Sequence, residues 1–170
     1  MTDGPAAART PGKDKNKQKS GDAQMLQSRS VARLAAVQAL YQIEFGGGKA
    51  EEVIDEFINH RFGNEIDGDR YAEADPDFFR ALVRGGSGRQ DELDALLKGS
   101  MSREPGRLDG ILRSLLRAAA FELLARKDVP ARVILSEYID VAHAFYAGPE
   151  PKLVNGVLDN LARHLRPQEV

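Results

Sequence analysis

Residues 29–45, RSVARLAAVQALYQIEF, constrain the fold more than any other stretch. Leu34, Ala35, Ala36, Val37, Ala39, Leu40, Tyr41, Ile43 and Phe45 leave almost no polar face. A helix apolar all round must be covered on every side. The segment is therefore expected to run through the middle of a helical domain, nearly fully buried beyond its first turns. Its start is charged. At 100° per residue Arg29, Arg33, Ala36 and Leu40 fall on one line, so the two arginines form a short ridge leading onto buried surface.

The rest of the chain reads as further helices separated by breakers. The first helix spans about 28–45 and stops at Gly46–Gly48. A second, about 49–61, places Val53, Ile54, Phe57 and Ile58 on one face. Asp75-Pro76 has the form of a helix start, with Asp as N-cap and Pro in the first turn. The helix that follows carries Phe78, Phe79, Leu82 and Val83, then Leu93, Leu96 and Leu97. GGSG at 85–88 lies inside it. Each interior glycine costs about 1 kcal/mol, so the helix either breaks there or a neighbour packs tightly against it. Leu108, Ile111, Leu112, Leu115, Leu116, Ala119 and Leu123 make a wide stripe over 107–126, closed by KDVP. Two more helices follow, about 131–146 and 152–164. No alternating strand and no fixed repeat is evident. The expected fold is all-α: a helical bundle of six to seven helices.

Residues 1–27 are rich in Gly, Pro, Lys, Gln and Ala and have little to bury, so they read as a disordered basic tail ahead of a helical domain at 28–167. Residues 1–33 hold seven basic and three acidic side chains. That surplus leaves −6 on the remainder of a chain whose net charge is −2. A basic arm on an acidic body fits an anionic partner at that end, or a solubilising tail.

Function classes narrow quickly. The absence of cysteine excludes disulfides and thiolate metal sites. No apolar run approaches the roughly 20 residues needed to cross a bilayer, and no signal peptide opens the chain, so a cytoplasmic protein is expected. His60, His143 and His164 stand on three different helices without ligand spacing, and no metal or cofactor is expected. GGSGRQ lacks the Lys-Ser/Thr of a phosphate loop. No nucleophile, base and oxyanion donor assemble, so no catalytic residue is assigned. Arg29 and Arg33 are candidates for phosphate contacts. Tyr41 is either a core tyrosine with a satisfied hydroxyl, the simpler reading, or a ring on which an unstacked base rests. In LVNGVLDNLA (153–162), Gly156 reads as a helix-packing contact and Asn155 as a partner for backbone groups near a helix end.

ARLAAVQALYQ (32–42), LLRAAAFELL (115–124), KDVPARVILSE (127–137) and LVNGVLDNLA (153–162) together resemble the landmarks of the NusB transcription antitermination family, in order and at compatible spacing over about 29–167. The resemblance implies an all-helical fold in two subdomains and a non-enzymatic role. It implies binding of boxA RNA together with NusE, which is ribosomal protein S10, within an antitermination complex on RNA polymerase. It places Arg29 and Arg33 at the arginine-rich positions, Tyr41 at the family tyrosine, and Lys152 and Leu153 near RNA and NusE. Leu153 is the first choice for the protein contact and Lys152 for RNA. Departures include the thin arginine cluster SRSVAR, Leu153 where an aromatic is common, Ser136 in place of a frequent Asn, and GPEP before the last helix. The same helical domain also occurs fused to ribosomal RNA cytosine methyltransferases, but 170 residues leave no room for a βαβ cofactor domain. A helical scaffold or homodimer without direct RNA recognition is the competing reading.

Overall fold

The computed structural model describes residues 12–62, 65–66, 69–70 and 74–170. Seven α-helices account for most of them: α1 Gly12–Gly46, α2 Ala50–Glu56, α3 Pro76–Gly88, α4 Gln90–Ser100, α5 Gly110–Ala125, α6 Ala131–Phe145 and α7 Glu150–Leu165. A single π turn, Phe57–Arg61, prolongs α2, and a 3-10 turn at Pro105–Arg107 precedes α5. A two-residue antiparallel ladder pairs Glu65 with Arg70 and Ile66 with Asp69.

The helix ends follow the local chemistry. Gly47, at φ +71°, takes the left-handed position that stops α1. Asp75 caps α3, its carboxylate accepting from the backbone N–H of Asp77 and Phe78 at 3.1 and 3.0 Å. Asp109 caps α5 in the same way through Leu112 N–H at 3.0 Å. The expected single helix across GGSG is two helices, separated at Arg89. Both alternatives raised by those glycines are realised. The chain breaks just after Gly88, and Gly85 and Gly86 sit under side chains. A Cβ at Gly85 would fall 2.2 Å from the Phe121 ring, and one at Gly86 would fall 2.8 Å from Leu40 Cδ1.

α1 runs against α3 and α5 and also touches α2 and α6; α4, α5, α6 and α7 pack on one another. The first three helices and the last four thus form two groups joined along α1 and α5. One continuous core links them; it includes Ala32, Ala35, Ala36, Val37, Ala39 and Leu40 of α1 and Leu115, Leu116, Ala119 and Leu123 of α5.

Two expectations about α1 need correction. The helix begins at Gly12 rather than near 28, so residues 12–27 of the expected tail are helical; residues 1–11 lie outside the described residues. What changes near 28 is burial, since the side chains from Lys19 through Gln27 are exposed and covered ones begin at Ser28. At the other end burial stops early. Tyr41 is 40% and Phe45 55% exposed: on that side the last turns of α1 meet only the start of α5 at Gly110, while Gln42 on another side bonds Glu56 of α2.

Candidate functional site

The start of α1 shows how the arginine ridge is used. Arg33 is 2% exposed and Glu122 of α5 is fully buried. Arg33 donates three hydrogen bonds to that carboxylate at 2.6–3.1 Å. A second carboxylate, Glu137 of α6, lies 3.6 Å away. Burial pulls the Arg33 pKa down, but hydrogen bonding and charge from Glu122 outweigh it, and the guanidinium is held more firmly protonated than usual. The expectation that Arg33 contacts RNA is therefore corrected: its donors are spent on a buried carboxylate. The helical wheel placed Arg33 in line with Ala36 and Leu40, and that line faces inward.

Arg29 lies one turn earlier and is half-buried. It pairs with Asp128 at 3.7 Å, and Asp128 also accepts two hydrogen bonds from Arg126 at 3.0 and 3.1 Å. The Arg126 guanidinium holds the Asp128 carboxyl below its usual range. The guanidinium carbons of Arg29, Arg33 and Arg126 lie 4.8, 4.9 and 5.1 Å from the centre of the Phe78 ring. Three cations converge on one aromatic ring, and Glu122, Glu137 and Asp128 neutralise them.

Tyr41 lies twelve residues from Arg29, about 18 Å along the helix axis. The two expected RNA contacts are thus at opposite ends of the buried part of α1. Tyr41 is not the core tyrosine that the simpler reading expected. Its ring packs beside Phe45 with centroids 4.7 Å apart and a tilt of 37°. Both rings lie over Gly110 at the start of α5, where a Cβ would fall 2.2 Å from Phe45 and 2.9 Å from Tyr41. The charges around the pair are matched. Arg113, 5.7 Å from the Phe45 ring, is ion-paired with Glu44, and Arg117 bridges Glu44 and Asp94. Phe45 escaped sequence reasoning because its apolar character marked it as core.

Lys152 and Leu153 open α7 at this same end. Lys152 is exposed and Leu153 half-buried. They line an open cleft of about 460 Å³ between the start of α7 and the 100–103 segment, with Met101, Arg103 and Gly156 among its walls. A smaller opening of about 260 Å³ shares Arg103, Pro149 and Leu153 with it and reaches Arg107 and Asp109. Gly156 is not the helix-packing contact expected of it: nothing lies within 4 Å of where its Cβ would be, and its bare backbone widens the cleft. Asn155 is exposed within α7 rather than near a helix end. Tyr146 ties α6 to this end, its hydroxyl donating to Asp109 at 2.6 Å.

Sequence reasoning also missed Arg166, just past α7. Its guanidinium is buried and donates to the carbonyls of Glu122, Leu123, Arg126 and Val129. It thereby satisfies the acceptors left over where α5 ends. Among the described residues no cluster of His, Asp and Glu is placed to hold a metal ion, and no helix is long and apolar enough to cross a membrane.

The same arrangement of helices occurs in known proteins. The fold is similar to that of T. maritima NusB, with a TM-score of 0.68 and 29% identity, covering 83% of this chain and 94% of that one. It also matches a structure of the antitermination factors NusB and NusE in complex with dsRNA, with a TM-score of 0.67 over 81% of this chain and 98% of that one; at 23% identity this likeness concerns the fold. Among curated proteins, the transcription antitermination protein NusB of Brucella ovis is 52% identical over 140 residues, 81% of this chain and 82% of its own length. That of Agrobacterium fabrum is 49% identical over 140 residues, 81% of this chain and 85% of its own. The model of the NusB family matches residues 30–163, from the arginine turn of α1 almost to the end of α7. With the landmark motifs, the helix order and this match agreeing over the same residues, the chain belongs to the NusB family.

Proposed function

We propose that this chain is a transcription antitermination factor that binds boxA RNA together with ribosomal protein S10 (NusE) and joins the antitermination complex on RNA polymerase in the cytoplasm, promoting antitermination in ribosomal RNA operons. It acts by binding and not by catalysis. The observation that carries this reading is the roughly half-identical match to transcription antitermination proteins over more than four fifths of both chains. The geometry agrees with an adaptor that has two kinds of surface.

The exposed Tyr41–Phe45 pair is the protein-facing surface in this reading. Aromatic side chains dominate the energetics of protein interfaces. The pair sits among charges already paired within the chain, which favours a protein neighbour over a polyanion. Arg29 keeps a part in RNA binding, weakened by its pairing with Asp128. The exposed Lys17 and Lys19 of α1 add positive charge beyond it. The body is net acidic, and repulsion acts within about 8–10 Å at physiological salt. Tight RNA binding by this chain therefore calls for a partner that adds RNA surface.

Titration calorimetry of the purified chain with NusE, and of the pair with boxA RNA, tests the reading. A direct complex that tightens boxA binding is expected. A wild-type mixture that forms no complex and shows no gain in RNA affinity refutes it.

A further inference from the structure

Arg29 sits in a socket made by three elements. Its guanidinium carbon lies 4.8 Å from the centre of the Phe78 ring near the start of α3. The Asp75 N–H donates to the Ser28 carbonyl at 3.1 Å, which fixes α1 against that start. Arg29 Nε is buried without a hydrogen-bond partner. The third wall is the turn at 126–129. Arg166 holds this turn by donating to the carbonyls of Arg126 and Val129, and just beyond it Glu169 accepts from the Ala131 N–H at 3.0 Å. Asp128 is thus carried on a fixed turn, 3.7 Å from a terminal nitrogen of Arg29. The neighbouring carboxylates Glu122 and Glu137 are engaged by Arg33.

The two arginines that meet Asp128 hold it unequally. Arg126 donates to both carboxylate oxygens, at 3.0 and 3.1 Å, and such a forked pair is the stronger form of the contact. The Arg29 contact, at 3.7 Å, is too long for a hydrogen bond and rests on charge alone. Giving up Arg29 therefore leaves Asp128 partnered. The side chain of Asp128 is 53% exposed and that of Arg29 21%, so a phosphate arriving from solvent can reach the terminal nitrogens that Asp128 now faces. Phe78 keeps the guanidinium in place while its anion changes.

A carboxylate in that position opposes every RNA phosphate, but not with equal result. Non-specific binding is almost wholly electrostatic, and a cation that is already neutralised adds little to it. A strand anchored elsewhere by a partner presents its phosphate at high effective concentration and displaces the carboxylate. We infer that Asp128 is a specificity-determining residue: in the free chain its carboxylate takes the phosphate position at Arg29, yields it to a strand anchored by the partner, and withholds it from unanchored RNA. The inference deepens the RNA-binding reading of Arg29 and rests on it.

The test compares two labelled single-stranded RNAs of equal length by fluorescence anisotropy over a range of salt. One carries boxA and is measured on the full chain with NusE; the other lacks boxA and is measured on the full chain alone. Asp128→Asn should tighten binding of the unrelated RNA about two- to fivefold, the worth of an exposed ion pair, and steepen its salt dependence by about 0.7, one phosphate contact of a single strand. The boxA complex should change less, so the ratio of the two affinities narrows. Asp128→Ala removes the same charge without adding an amide and should act alike. The turn is held through its backbone by Arg166, so the far-ultraviolet circular dichroism should stay unchanged. In an Arg29→Ala background most of the gain from Asp128→Asn should vanish, because the carboxylate then has no arginine to withhold.

A wild-type affinity ratio in both Asp128 variants overturns the inference. So does a gain that survives largely intact in the Arg29→Ala background, since it then comes from net charge and not from this contact. Either result leaves RNA binding itself standing. A wild-type chain that binds no boxA RNA even with NusE refutes the proposed function and the role of Asp128 together.

Discussion

Replacing Arg33 by methionine should remove a cation from a site where Glu122 has no water to turn to. Arg33 is 2% exposed and Glu122 0%, and three hydrogen bonds of 2.6–3.1 Å join them. Removing one partner of such a pair leaves an uncompensated buried charge and costs about 3–5 kcal/mol. Glu137, 3.6 Å from Arg33 and more exposed, can be rehydrated and adds little to the cost. In a domain of this size about 1 kcal/mol corresponds to a 2–4 °C change in Tm, so a fall of roughly 6–20 °C is expected. The double variant Arg33→Met/Glu122→Leu removes both charges, and its stability should return close to wild type. Urea denaturation followed by circular dichroism gives all three free energies in one cycle. If Arg33→Met alone costs under 1 kcal/mol, the side chain is hydrated and free to meet phosphate, and the core assignment is wrong. If the double variant is as unstable as the single one, the pair is not the source of the loss. The double variant also separates fold from RNA binding, since it should keep boxA affinity although it lacks the arginine.

Leu40→Ala empties the space beside Gly86 and should cost about 2–5 kcal/mol in the same denaturation assay. Gly85→Ala forces a Cβ to within 2.2 Å of the Phe121 ring and should cost about 1–3 kcal/mol by overpacking; a neutral result would mean that α3 and α5 separate freely. Gly110→Ala should push the Phe45 and Tyr41 rings off the start of α5 and weaken NusE binding in calorimetry more than it lowers stability, whereas unaltered affinity would argue against the aromatic pair as the docking surface. For Tyr146, burial and then its hydrogen bond to Asp109 raise the phenol above its ordinary value. A group raised in the folded state stabilises below its unfolded pKa of about 10 and loses that contribution as pH rises through the folded value. Tyr146→Phe should therefore show a shallower fall in stability above about pH 10, with a small amplitude because the hydroxyl is partly in water.

Much of this architecture is visible in the residues. Asp75-Pro76 marks a helix start because its chemistry is local: a carboxylate two and three residues from the N–H groups that it accepts. Leu108 to Leu123 reads as one buried helix because the period of its apolar stripe does not depend on what covers it. GGSG could be read only as a pair of alternatives, since the side chains that demand glycine there, Phe121 and Leu40, come from elements 36 and 46 residues away in sequence.

The site was harder to read for the same reason. A helical wheel shows that Arg29 and Arg33 share a line but not which way the line faces. That direction is set by Glu122, whose charge in the middle of the α5 stripe was the signal available. An acidic residue among Leu, Ala and Phe must either break the helix face or find a buried cation, and the basic turn that leads directly onto the apolar part of the other central helix is that of Arg33. Phe45 was assigned to the core because exposure of a large apolar residue leaves no mark in sequence; it follows from where α5 begins. A chain with 24 basic residues does not reveal which of them lack partners. Burial and pairing engage most of the arginines within the fold, and density along the sequence does not show which ones.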